Sequence, residues 1–328
     1  MTNGASKKPV GSLSLDLDNK WSYMKTHGDP NWKSLPSYLP IVVPRVLKLF
    51  AERNLTITFF IVGLDADQDA DKDVLRSIAE AGHEIGNHSY FHEPWLHLYE
   101  PWRIDEEIAR AETAIEAATG KRPVGFRGPG YSLSQNVLET LVKRGYRYDC
   151  STFPTYLGPL ARLYYFATAK LTPEEKEQRR KLFGNWGDGR RPLRPYRWEL
   201  GASELLEIPV TTLPLLKAPI HLSYILYLSS FSTALARSFF QFALSVCRAT
   251  KTPLSLLLHP LDFLGREDAP ELGFFPAMNM PAEKKLAIAS DVLELFADAF
   301  RVVPMRGHAD ALTNGSTPPL RRPDFATL

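Results

Sequence analysis

Short apolar runs alternate along this chain with amphipathic helical patterns, and this alternation constrains the fold more than any other feature. Repeated strand–helix units are typical of α/β proteins with a mostly parallel sheet. The predicted strands are Ser12–Leu17, Thr56–Val62, Glu84–Asn87, Gly125–Arg127, Tyr146–Cys150, Leu206–Val210, Leu254–Leu258 and Arg301–Pro304. About seven or eight such units in this length predict an α/β fold built as a distorted or incomplete (β/α) barrel.

The predicted helices lie between these strands and carry their own boundary signals. Pro101–Thr119 has apolar residues at a 3.6-residue period and stops at Gly120, and Ser134–Arg144 begins with a serine that can cap a helix. The other helices are predicted at Leu39–Arg53, Lys72–Ala81, Phe231–Thr250 and Ala282–Phe300.

Residues 155–204 interrupt the alternation with a charged run followed by a glycine-rich stretch. Long segments without regular structure are uncommon unless they are functional or disordered. We therefore predict a single barrel over residues 12–312, with residues 155–204 inserted on its loop face. A flexible N-terminus, residues 1–11, and a C-terminal tail, residues 313–328, flank it.

The composition argues against several classes of protein. A net charge of +2 is too small for a nucleic-acid partner, and two cysteines do not make a disulfide framework. The first eleven residues lack the apolar core of a secretory signal, and no run of about 18 apolar residues could span a membrane. These features predict a cytoplasmic protein.

Two histidines, His88 and His92, follow a predicted strand at a spacing of four residues. At helical spacing they would lie on one face, close enough to bind one metal ion. An arbitrary histidine pair of this kind is more often structural, but the position directly after a strand favours metal binding.

Asp16 and Asp18 end an apolar strand and are two residues apart, so both side chains would point to the same side. Two such carboxylates cost desolvation energy unless they are paired, hydrogen-bonded or bound to a cation. One aspartate with two histidines would leave positions open for water and substrate. The alternative is a turn or helix cap, of which Asp-Asn is also typical.

Three further positions end predicted strands. Arg127 could hold a carboxylate, and Gly130 in the following turn, beside Tyr131, could bring a backbone N–H close to a reacting oxygen. His259 after the Leu254–Leu258 run could be a general acid if Asp149 were its acidic partner. Each has a structural alternative, a tight turn or a buried core histidine. The remaining histidines lack a partner pattern: His27, His83, His97, His221 and His308.

Together these segments resemble the NodB-type polysaccharide deacetylases, carbohydrate esterases with a distorted (β/α) barrel. The resemblance rests on five motifs in the family's order, and the first has an Asp-x-Asp form known from cytosolic members. In this chain the five motifs lie at Asp16–Asp18, Thr58–Gly63, Ala81–His92, Arg127–Pro129 and Leu257–His259.

The resemblance implies a role for each site residue. Asp18, His88 and His92 would bind one divalent metal ion, zinc above all, with cobalt, nickel or manganese as alternatives. Asp16 would be the general base, oriented by Arg127. His259 would protonate the leaving amine with Asp149 as its partner, and the N–H near Gly130 would face the oxyanion, with Tyr131 beside the substrate.

The expected reaction is N-deacetylation of an amino-sugar or glycan substrate, intracellular or lipid-linked. Alternatives are a deformylase for a lipid-linked formamido sugar, a glycan-binding barrel without catalysis, and a hydrolase of non-sugar C–N amides. Residues 157–171 and 219–246 are rich in apolar and aromatic residues, which could form a peripheral contact with the inner membrane face or a homo-oligomer interface.

Overall fold

A ten-stranded sheet forms the centre of the computed structural model, which describes residues 8–169, 171–179, 186–315 and 317–325. The strands in chain order are β1 Val10–Leu17, β2 Thr58–Ile61, β3 Glu84–Asn87, β4 Gly125–Phe126, β5 Tyr148–Asp149, β6 Tyr196–Leu200, β7 Ser203–Glu207, β8 Leu254–Leu258, β9 Arg301–Val303 and β10 Leu320–Arg321.

The strand order across the sheet is β10-β6-β7-β5-β4-β3-β2-β1-β8, and β9 pairs with the start of β1. Every pairing is parallel except that of β6 with β7. The path has two ends, β10 and β8, so the sheet of the described residues is not closed. This is the α/β fold and the incomplete barrel expected from the sequence.

Helices cover the sheet and place its apolar faces out of water. They are α1 Lys20–His27, α2 Leu39–Ala51, α3 Gly63–Asp67, α4 Asp69–Glu80, α5 Pro101–Thr119, α6 Gln135–Lys143, α7 Gly158–Thr168, α8 Pro173–Gln178, α9 Leu222–Ser229, α10 Thr233–Ala249, α11 Ala282–Ala299 and α12 Met305–Thr313. No helix of the described residues is long and apolar enough to cross a membrane.

The largest core lies between β1, β2, β8 and the helices α2, α4, α10 and α11. Leu13, Leu15 and Leu17 alternate with polar residues along β1 and are almost completely buried. Because side chains alternate along a strand, the intervening Ser12, Ser14 and Asp16 share the opposite face. That face is also buried, so the sheet carries a row of buried polar side chains on this face.

Several predicted boundaries differ from the structure. The predicted strand Leu206–Val210 lies at Ser203–Glu207, where it pairs with β6 in a hairpin that the sequence analysis assigned to the insertion. The predicted helix Lys72–Ala81 begins earlier, at Asp69. α1, α3, α7, α8, α9 and α12 were not predicted.

The predicted end segments are only partly described. Residues 1–7 of the N-terminus predicted to be flexible lie outside the described residues, as do residues 316 and 326–328 of the tail. Val10 and Gly11 already belong to β1, and Leu320–Arg321 pairs with β6.

Candidate active site

Asp18, His88 and His92 come together at the carboxyl ends of β1 and β3. Oδ1 of Asp18 lies 3.2 Å from Nε2 of His88 and 3.0 Å from Nε2 of His92. All three residues are buried. This is the ligand set that the sequence predicted, now with the three candidate ligand atoms facing one point.

His88 is held in the orientation that a metal ligand needs. Its Nδ1 lies 2.6 Å from the backbone carbonyl oxygen of Arg127, to which it can donate a hydrogen bond. A ring that donates from Nδ1 keeps the lone pair of Nε2 for a metal. The contact leaves Nε2, the nitrogen that faces Asp18, as the candidate metal ligand.

The segment from His88 to His92 is a loop and not a helical turn, so the helical reading of this spacing was wrong. Ser89 and His92 have positive φ angles, 59° and 49°. Side-chain acceptors hold this strained backbone, because Asn87 Oδ1 accepts from the N–H of Ser89 and Glu107 Oε2 accepts from the N–H groups that follow. The loop brings the two rings to a centroid distance of 5.0 Å.

The donor set fits a divalent cation. Asp18 Oδ1 and His92 Nδ1 are buried polar atoms without a hydrogen-bond partner among the described residues. Burying a carboxylate oxygen without a partner is costly, and a cation at the point shared with both Nε2 atoms would remove that cost. Carboxylate oxygen and imidazole nitrogen are ligands that zinc and similar ions accept.

The electrostatics keep Asp18 ionised. Burial alone would raise the pKa of its carboxyl group, but His92 and His88 outweigh that effect and hold the pKa well below its ordinary value. The phenol of Tyr38 donates to the backbone carbonyl of Asp18 at 2.6 Å and fixes this end of β1. Burial, together with the Asp18 carboxylate, raises the pKa of Tyr23, which stays a neutral phenol.

Asp16 lies behind the three predicted ligands and is bound by Arg127. The guanidinium donates from Nη1 to Asp16 Oδ1 at 2.6 Å and to Ser14 Oγ at 2.9 Å, and from Nε to the carbonyl of Cys150 at 3.1 Å. Burial lowers the pKa of Arg127, but the Asp16 carboxylate outweighs that effect and raises it. The other carboxylate oxygen, Oδ2, is 4.0 Å from His88 Nε2.

Gly130 and Tyr131 follow Arg127 in a tight turn with left-handed backbone. Gly130 and Tyr131 have φ angles of 56° and 62°, and a Cβ at Gly130 would come within 2.9 Å of Pro94. This close approach explains the glycine. Tyr131 is packed against Phe153, with ring centroids 4.7 Å apart. Burial raises the pKa of its phenol, and the negative charge of Asp16 raises it further.

His259 does not pair with Asp149, contrary to the expectation from the sequence. Its Nδ1 is 3.1 Å from Ser223 Oγ, and its backbone N–H donates to Asp262 at 2.8 Å. Burial raises the pKa of Asp262 above its ordinary value, although His259 and Ser223 partly offset that rise. Ser223 of α9 therefore contacts the imidazole of His259, and Asp262 in the loop after β8 holds its backbone.

Asp149 instead belongs to a buried acid pair with Glu207, on the ends of β5 and β7. Burial and the Asp149 carboxylate raise the pKa of Glu207 well above its ordinary value, and burial also raises the pKa of Asp149. Asp149 accepts from Ser151 Oγ at 2.6 Å, and Ser151 Oγ accepts from the N–H of Gly128 at 2.8 Å. Asp149 therefore supports the Arg127–Tyr131 turn and not His259.

His221, Ser223 and Ser151 also surround the site, although the sequence analysis did not assign them to it. The His221 ring lies 6.2 Å from that of His259, and burial lowers its pKa to about 3. Ser223 and Ser151 carry no sequence signal, because serine is common in loops and caps. His221 directly precedes α9 and Ser223 lies in its first turn, and this helix was not predicted.

Part of this chain is similar to known proteins. Residues 33–148 match the family model "Polysaccharide deacetylase". A peptidoglycan deacetylase of Helicobacter pylori is 34% identical over 109 residues, which are 33% of this chain and 36% of that protein. A chitooligosaccharide deacetylase of Bradyrhizobium sp. is 31% identical over 107 residues, 32% of this chain and 48% of that protein. The matched part thus spans less than half the length of these relatives.

A solved structure shows the same fold over almost the whole chain. It is a Mycobacterium smegmatis protein described as a polysaccharide deacetylase, with 21% identity and a TM-score of 0.64. The alignment covers 99% of this chain and 98% of that one. Residues 33–148 thus match the polysaccharide deacetylase family, and the fold of almost the whole chain is that of the solved structure.

Proposed function

We propose that the protein is a metal-dependent hydrolase that removes an N-acetyl group from an amino-sugar substrate. One observation carries the proposal: Asp18, His88 and His92 offer three ligand atoms within 4.8 Å of one another, directly beside the buried Asp16–Arg127 pair. A histidine pair with a purely structural role would not need a second carboxylate beside it, such as Asp16, which is bound by the guanidinium of Arg127.

The metal would be held by Asp18, His88 and His92. Zinc fits a His₂Asp set, and cobalt, nickel and manganese accept the same ligands. A divalent ion of this kind supplies Lewis-acid chemistry, because it polarises a carbonyl oxygen and lowers the pKa of water.

The proton transfers would belong to Asp16 and His259. Asp16, fixed by Arg127, would take a proton from the attacking water, whose oxygen forms a bond to the amide carbon. His259, oriented by Ser223, would give a proton to the amide nitrogen as the C–N bond breaks, which releases acetate and a free amine. The N–H near Gly130 would donate to the oxyanion, and Tyr131 would border the substrate.

The substrate would be an N-acylated amino sugar of an intracellular or lipid-linked glycan. The same residues would also hydrolyse a formamido sugar, since formyl and acetyl amides differ by one methyl group. Which acyl group is removed is therefore an outcome of the assay.

The test is release of acetate or formate from soluble and lipid-linked N-acylated amino sugars. Activity should disappear on treatment with a chelator and return on addition of zinc or cobalt. Non-sugar amides and ureides serve as the comparison class. Turnover of those amides without turnover of any amino sugar would refute the proposed substrate, and full activity after chelation would refute the proposed metal dependence.

A further inference from the structure

Large exposed apolar side chains are concentrated in one part of this chain. Of the fourteen large hydrophobic residues that are exposed among the described residues, ten lie between residues 156 and 242. Scattered exposed apolar residues are normal, whereas exposed apolar side chains that lie together in space indicate an interaction surface.

The most exposed pair, Leu215 and Leu216, forms the tip of a short hairpin closed by the Thr212–Pro219 bridge. The two side chains are 87% and 70% exposed, and Leu215 has a φ of 71°. A leucine in a left-handed conformation is strained, and asparagine or glycine would be favoured if only the turn mattered. The turn itself therefore does not explain a leucine at this tip.

The hairpin is anchored beside the candidate active site. Thr155 Oγ1 donates to the carbonyl of Lys217, and Thr212 Oγ1 donates to the carbonyl of Pro154. Pro154 follows Phe153, whose ring is packed on Tyr131 at the site. The hairpin that carries the exposed leucines is therefore bonded to the segment that directly follows Phe153.

A row of aromatic rings leads from the site to a second exposed group. Ring centroids are 5.6 Å apart between Phe153 and His221, 6.3 Å between His221 and Tyr224, 6.4 Å between Tyr224 and Tyr227, and 5.3 Å between Tyr227 and Phe231. Phe231, between α9 and α10, is 75% exposed, and Leu235, in the first turn of α10, is 71% exposed.

The charge of this part of the chain distinguishes between the partners it could have. Residues 208–261 contain no aspartate or glutamate, and their lysines and arginines are Lys217, Arg237, Arg248 and Lys251. Anionic lipid headgroups attract lysine and arginine and repel carboxylates. Self-association through apolar side chains would not require the absence of acidic residues.

We propose that Leu215, Leu216, Phe231 and Leu235 form a docking surface for an anionic lipid bilayer, with the leucines and phenylalanine at the headgroup level. This inference rests on the proposed function and deepens it, because docking would hold the rim of the site against the membrane. The substrate is then an amino sugar carried on a lipid, and the aromatic row is the path from the bilayer to the site.

The experiment is co-sedimentation of the full chain with vesicles of phosphatidylcholine, with and without phosphatidylglycerol. The wild type should bind the mixed vesicles, and more weakly at high salt. Two double variants, Leu215→Asn with Leu216→Ser and Phe231→Ser with Leu235→Ser, should each lower the partition coefficient on the order of ten-fold. Leu320→Ser removes an exposed leucine on β10 and should leave binding unchanged.

Two further measurements separate the outcomes. Deacetylation of a soluble chitooligosaccharide checks that each variant is folded, and its loss in the wild type would count against the proposed function instead. Vesicle binding that is absent in the wild type, or that both double variants retain at the wild-type level, would overturn the docking surface. So would a wild-type dimer that the double variants convert to a monomer without any vesicle binding, since the surface would then be a contact between two copies.

Discussion

The guanidinium of Arg127 donates to the carboxylate of Asp16 at 2.6 Å, and the arginine is completely buried. The same side chain also donates to Ser14 and to the carbonyl of Cys150. The backbone carbonyl of Arg127 accepts a hydrogen bond from Nδ1 of His88. One residue thus connects the candidate general base, a candidate metal ligand and the ends of three strands.

Replacing Arg127 by lysine should lower kcat at least about 100-fold. An ammonium group has no planar fork and cannot satisfy Asp16, Ser14 and Cys150 together, so part of a buried network is left unpaired. We also expect a loss of unfolding free energy of about 2–3 kcal/mol, measured by urea denaturation. Arg103→Lys, at an exposed arginine, is the control. Unchanged kcat in Arg127→Lys would contradict the assigned role.

His88→Ala and His92→Ala should each abolish both bound metal and turnover. Two remaining ligands hold zinc-like ions weakly, because three protein ligands are the usual minimum of a catalytic site. Elemental analysis of the dialysed protein measures the metal, and acetate release measures turnover. His97→Ala changes a histidine that contacts Ser132 outside the metal site and should retain both. A His88 or His92 variant with metal and full turnover would refute the ligand set.

Asp16→Asn separates the general base from the metal ligands. The amide keeps the size and one acceptor of the carboxylate but cannot accept a proton, so turnover should fall by at least about 100-fold. Metal content should remain near that of the wild type, since the ligands Asp18, His88 and His92 are unchanged. Loss of the metal in this variant would instead identify Asp16 as a ligand.

Ser151→Ala tests the support of the Arg127–Tyr131 turn. Ser151 Oγ joins the N–H of Gly128 to Asp149, so its removal leaves a buried donor without an acceptor and costs about 1–3 kcal/mol. We expect kcat to fall about ten-fold with little change in KM, because the turn carries the proposed oxyanion donor. Ser151→Thr keeps the hydroxyl and should restore most of kcat. Equal defects in both variants would indicate a packing role alone.

The buried His308 should make stability depend on pH. Burial lowers the pKa of this imidazole to about 4, against an ordinary value of 6.5, and Nδ1 is hydrogen-bonded to Ser12 Oγ. The unfolded chain therefore binds a proton that the native state does not, and stability falls as pH drops from about 6.5 to about 4. The loss is on the order of 3 kcal/mol at the acid end.

His308→Asn removes this titration and keeps a hydrogen-bonding group near Ser12. Urea denaturation at several pH values should give a flatter dependence between pH 6.5 and 4 than in the wild type. An identical slope in both proteins would show that His308 does not contribute.

The strand–helix rhythm and the motifs at strand ends were readable from local sequence, because apolar periodicity reflects which face of an element is buried. Asp16 and Asp18 face the same way since strand geometry alternates every residue. The β6–β7 hairpin was not predicted, although Tyr196 and Trp198 alternate with charged residues, because it follows a charged segment that resembles an insertion.

The residues of the site were determined by the sequence, whereas their partners were decided by the tertiary structure. Asp18, His88 and Arg127 were indicated because each ends or follows a predicted strand and parallel strands end at one edge of the sheet, while His92 was indicated by its spacing from His88. Asp149 could not be assigned in this way, because its contact with Glu207 depends on β7 lying next to β5. Likewise, Ser223 reaches His259 only through the packing of α9 against β8. Contacts between residues distant along the chain leave no local periodicity, so only the folded arrangement reveals them.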